Sequence, residues 1–84
     1  MSVEKIVRET VLKNISEKLE IGEVELDQNL FEMGLSSMGF IKSMVALESF
    51  YDIELEELLP EECSTLRKII SMVNTALESR DDNA

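Results

Sequence analysis

The chain has 84 residues, with 18 Asp and Glu against 8 Lys and Arg, no His, one Cys and a net charge of −10. A domain of this length removes only about 60% of its unfolded surface from water, so it holds one modest core and little room for a deep, water-excluding active site. Its acidic surface repels phosphate backbones and anionic lipid heads, which argues against nucleic acid as a direct partner and favours basic patches on other proteins.

Without His there is no ready neutral-pH base, and a lone Cys63 supplies neither a disulfide nor a multi-Cys metal site. No nucleophile, base and orienting acid can be assembled, so carrying or binding is favoured over catalysis. Cys63 reads as a small apolar core residue. No apolar run approaches the roughly 18 residues of a membrane span, and the N-terminus, with its mixed charges, lacks the basic and apolar regions of a signal peptide. A cytoplasmic protein is expected.

In chain order, Val3, Ile6, Val7, Val11, Ile15 and Leu19 recur at helical spacing, with Glu4 to Arg8 and Glu9 to Lys13 as i,i+4 pairs on the polar face. This predicts an amphipathic first helix. From Glu20 to Asn29 the periodicity fades around Gly22, and Leu30, Phe31 and Met33 form an apolar cluster ending at Gly34, the pattern of a long loop pinned to the core. A second helix is expected from Ser36 or Ser37 through Met38, Ile41, Met44, Val45 and Leu47 to Tyr51. The Ser36 hydroxyl is a candidate N-cap.

Beyond Asp52, Ile53 and Leu55 alternate with acids, and Leu58 and Leu59 suggest a short third helix interrupted by Pro60. Ser64 or Thr65 can cap a last helix whose buried stripe is Leu66, Ile69, Ile70, Val73 and Leu77. The expected fold is all-α: a small four-helix bundle with a short third helix and a long loop after the first. Residues 1–78 would form the domain and 79–84 a polar, frayed tail.

Charge is concentrated in the middle. From Glu20 to Glu62 there are 12 acids and a single base, Lys42, while Met1–Leu19 sums to +1 and Cys63–Ala84 to zero.

The segment Gly34-Leu35-Ser36-Ser37-Met38 resembles the attachment site of the acyl and peptidyl carrier proteins, in which the modified Ser lies three residues after a Gly and just before Leu or Met. The flanking frame is similar too. Leu30-Phe31-Glu32-Met33 precedes the Gly, Ala46-Leu47-Glu48 follows the Ser, and Tyr51, Ile53 and Leu55 match an aromatic-x-Ile-x-Ile segment. Ser64-Thr65-Leu66 with Ile69, Ile70 and Val73 matches a Thr-led last helix, so the resemblance spans Val3 to Leu77.

That resemblance implies a monomeric acyl carrier with a covalent 4'-phosphopantetheine arm on Ser37, flanked by Gly34, Leu35, Ser36 and Met38. It implies a phosphopantetheinyl transferase with coenzyme A as donor, and partner enzymes that load, elongate or transfer acyl groups and dock through basic or apolar surfaces. A phosphodiester at a helix N-terminus also suits the open amides and positive dipole end found there.

Two departures stand out. Ser36 occupies the place where most acyl carriers have Asp, and it is a second candidate hydroxyl. Between Ser37 and Tyr51 there is one acid, Glu48, one base, Lys42, and a helix-weakening Gly39, where the family usually presents several acids to basic partners. Phe40 and Phe50 could add apolar area to that face or sit half-buried in the core. Met33, Met38, Met44 and Met72 read as interior side chains, either ordinary packing or adaptable lining around an acyl chain. The departures point to a specialised fatty-acid, lipid or polyketide pathway. A peptidyl or aminoacyl carrier and a cofactor-free acidic interaction module are the alternatives.

Overall fold

The computed structural model describes residues 2–15, 24–55, 61 and 63–82. Among them are three α-helices, α1 (Val3–Leu12), α2 (Ser37–Tyr51) and α3 (Leu66–Asp82), and α1 packs against both of the others. The short helix expected at Leu58–Leu59, which would make four, lies outside the described residues.

α1 begins at Ser2, whose hydroxyl accepts a hydrogen bond from the Lys5 amide at 3.1 Å, and Glu4 sits in the first turn where the dipole favours an acid. Of the two expected i,i+4 pairs, Glu4 and Arg8 meet at 3.1 Å. No ion pair forms between Glu9 and Lys13 among the described residues.

The helix ends earlier than its apolar spacing predicts. The Asn14 amide bonds to the Val11 carbonyl and the Ile15 amide to the Leu12 carbonyl, a tightening from i−4 to i−3, while the Asn14 side chain takes the Thr10 carbonyl at 2.9 Å. Ile15 then forms an isolated antiparallel bridge with Leu35. Ile15 is buried all the same, and Leu19 lies outside the described residues.

The described part of the stretch before α2, residues 24–36, is pinned to the core, as its apolar cluster predicts. Leu30 is fully buried, its amide donates to the Ser64 carbonyl at 2.8 Å, and the Phe31 ring packs on Phe40 with centroids 5.7 Å apart. Arg67 holds the same loop from α3, with its amide on the Leu26 carbonyl and its guanidinium on both carboxylate oxygens of Asp27. Arg8 reaches the Val24 carbonyl from α1.

α3 starts at Thr65, whose hydroxyl accepts from the Lys68 amide at 3.2 Å. Leu66, Ile69 and Val73 are fully buried, and Ile70 and Leu77 pack partly exposed against them. Each fully buried side chain of this kind stabilises by about 1.5–3 kcal/mol. Instead of fraying at Ser79, α3 continues to Asp82, and Arg80 donates to the Tyr51 carbonyl at the end of α2. Cys63 is core, with its sulfur 3.8 Å from that of Met72.

Candidate functional site

The segment from Gly34 to Met38 turns the chain from the loop into α2. Gly34 has φ 108°, a left-handed conformation that a side chain would strain, and its amide closes a turn onto the Phe31 carbonyl. Leu35 is buried and tied by its bridge to Ile15, so the chain entering α2 is fixed against the end of α1.

Ser36 is the N-cap: its backbone is extended (φ −81°, ψ 166°) and its hydroxyl accepts from the Gly39 amide at 3.0 Å. Ser37 is the first helical residue and is exposed. The amides of Ser37 and Met38 make no hydrogen bond among the described residues. An exposed hydroxyl beside two open amides at the positive end of a 15-residue helix fits a phosphodiester.

A buried polar link behind the site was missed in the sequence. The Asn14 amide side chain donates to Ser43 Oγ at 3.2 Å, and Ser43, fully buried, donates to the Gly39 carbonyl at 2.8 Å. Gly39 is buried with Ser43, and a Cβ built on it would lie 2.6 Å from the Asn14 carbonyl oxygen. The glycine read from sequence as a weak point on an exposed face is thus the place where α2 touches the end of α1. Two small residues at i,i+4, Gly39 and Ser43, were the available signal of that close approach.

The outward face of α2 also corrects the sequence reading. Met38 was expected inside with the other methionines, but it is 64% exposed, and Ile41 and Val45 are 52% and 53% exposed. Met44 is fully buried, and Met33 and Met72 pack partly exposed against the core. Phe40 is core, whereas Phe50 is exposed with its ring edge-on to Tyr51. Burial raises the Tyr51 hydroxyl pKa above its usual value.

Glu48, the one acid expected on this face, is engaged within the fold. Its carbonyl accepts from the Ile53 and Asp52 amides and its carboxylate accepts from the Leu55 amide at 3.0 Å. These bonds turn the chain after Asp52, which holds a left-handed φ of 54°. Lys42 remains as the exposed charge of the outward face.

The family model for the phosphopantetheine attachment site matches residues 9–73, and the chain belongs to that family. No curated protein matches the chain. The family bears a covalently attached 4'-phosphopantetheine, and its domain is a carrier that is not itself catalytic. No helix among the described residues is long and apolar enough to cross a membrane.

Proposed function

We propose that this protein is an acyl carrier whose 4'-phosphopantetheine is attached to Ser37, and that it presents acyl groups to biosynthetic enzymes of a specialised fatty-acid, lipid or polyketide pathway in the cytoplasm. The arm, when bound, supplies a terminal thiol that holds the acyl group as a thioester. A phosphopantetheinyl transferase loads it from coenzyme A. The carrier domain, expected to end at residue 78, extends along α3 to Asp82.

The observation that carries this reading is the division of labour between the two serines. Ser36 Oγ is committed to the Gly39 amide as the helix cap, while Ser37 stands exposed on the first turn beside open amides. The rigid scaffold behind it fixes where the arm begins, and tethering raises the effective concentration of the acyl group at a docked enzyme. The weakly charged outward face of α2 supports a specialised pathway, because it offers a basic enzyme patch a single carboxylate, that of Glu48, which already accepts from the Leu55 amide.

Incubation with coenzyme A and a broad-specificity phosphopantetheinyl transferase should add one phosphopantetheinyl mass, mapped by fragmentation to Ser37. Ser37→Ala should abolish it and Ser36→Ala should keep it at some cost in stability. The reverse pattern would assign the arm to Ser36, and no mass addition to the wild-type chain would remove the carrier reading.

A further inference from the structure

Two neighbouring residues at the end of α1 hold the chain on both sides of Ser37. Ile15 is bridged to Leu35, just before the serine, and Asn14 is joined through Ser43 to Gly39, just after it. The Asn14 side-chain nitrogen donates to the Thr10 carbonyl at 2.9 Å and to Ser43 Oγ at 3.2 Å, which uses both of its N–H groups. Ser43 Oγ donates to the Gly39 carbonyl at 2.8 Å, and the Gly39 amide donates to Ser36 Oγ at 3.0 Å. The link thus runs from α1 to the cap of α2. Both of its α2 residues weaken that helix locally, Gly39 through its backbone freedom and Ser43 through a side chain that competes for a helical carbonyl. Local rules broken together beside a reactive group mark a functional constraint.

We infer that Asn14, acting through Ser43 and Gly39, is a positioning residue for the loading of Ser37, because it fixes the direction in which the first turn of α2 presents the serine hydroxyl. The inference rests on the carrier reading and deepens it. In loading, Ser37 Oγ forms a bond to the coenzyme A phosphorus that bears the pantetheine arm. The bond from that phosphorus to the bridging oxygen breaks, the nucleotide half leaves with the electron pair, and the hydroxyl proton passes to a base on the transferase. Such a displacement depends steeply on approach geometry, and a misplacement of about 1 Å costs about a hundredfold in rate. Ser43 is fully buried, so it reaches the reaction only through the helix. Its effect falls on turnover in the bound complex and not on formation of that complex.

The test follows loading of the full-length chain by coenzyme A and a broad-specificity phosphopantetheinyl transferase, at a temperature well below the melting of every variant. Asn14→Ala and Ser43→Ala are each expected to lower kcat about tenfold while KM changes less than about twofold. The double variant is expected to be no slower than the slower single one, since both residues act through one link. Ser43→Ala puts the best helix former into α2 and carries the test alone if Asn14→Ala does not fold. Leu77→Ala, on α3 near the Arg80 contact with the far end of α2, is the control: it lowers stability and leaves kcat unchanged. Amide exchange of the unloaded chain gives a readout without the transferase. The Gly39 and Phe40 amides, both bonded to Ser36, are expected to exchange about fivefold or more faster in Ser43→Ala, relative to amides at the other end of α2. An unchanged kcat in Ser43→Ala, a loss carried by KM, an equal loss in Leu77→Ala or unaltered exchange overturns the positioning role while the wild type still loads. A wild-type chain that takes no arm sinks the carrier reading beneath it.

Discussion

Gly39 decides how closely α2 can approach α1. In an exposed helix, Gly→Ala stabilises by roughly 0.5–1 kcal/mol, because alanine loses less conformational freedom on folding. Here the new Cβ would stand 2.6 Å from the Asn14 carbonyl oxygen, a backbone atom that moves only with the end of α1. Gly39→Ala is therefore expected to destabilise by about 1–3 kcal/mol, the range for an overfilled contact, and Gly39→Asp by more. Urea unfolding followed by circular dichroism gives the sign directly. A more stable Gly39→Ala protein would mean that α2 does not rest on Asn14. Ser43 belongs to the same contact, since it both receives from Asn14 and donates to the Gly39 carbonyl, leaving no buried side-chain polar atom unpaired among the described residues.

Among the elements, the end of α2 and the loop before it are held by charged groups used inside the fold. Glu48→Ala removes the acceptor of the Leu55 amide and should cost about 1 kcal/mol, whereas Glu48→Gln, which keeps an acceptor oxygen, should cost less. Equal losses would show that the carboxylate contributes through its charge. The loop hangs on α3 through Arg67, whose hydrogen bond to Asp27 holds that carboxyl below its ordinary value of 3.8. A carboxyl depressed in the folded state contributes stability above its unfolded pKa and loses it as pH falls through the folded one. Asp27→Asn should thus lower the urea midpoint at neutral pH and match the wild type in strong acid. The effect is small, since both side chains are exposed and well screened. A difference that persists in strong acid would assign the loss to something other than the ion pair.

For the molecule as a whole, repulsion among acids opposes compactness. The stretch from Glu20 to Glu62 carries an excess of 11 negative charges, and folding brings its described parts onto one core. Moderate salt or Mg2+ should raise the melting temperature by relieving this repulsion. A melting temperature that ignores both would show that the acids are well separated in space. Lys42→Glu should melt slightly lower than the wild type at low salt and converge with it at high salt, a readout that does not depend on any partner.

What the sequence determined by itself is local. Helical spacing placed all three described helices, the Ser36 and Thr65 hydroxyls cap α2 and α3 as their positions suggested, and the frame from Leu30 to Val73 pointed to the carrier family. Caps and amphipathic faces depend on residues three or four apart, so they can be read along the chain. Tertiary contacts decided the rest. α1 stops at Leu12 because Asn14 and Ile15 find partners in Ser43 and Leu35, far along the sequence. α2 has apolar residues around most of its circumference, so periodicity could not say that Phe40, Met44 and Leu47 would face the core while Met38, Ile41 and Val45 faced water. That choice was made where Gly39 and Ser43, the two smallest side chains of its buried side, let α2 settle against the end of α1.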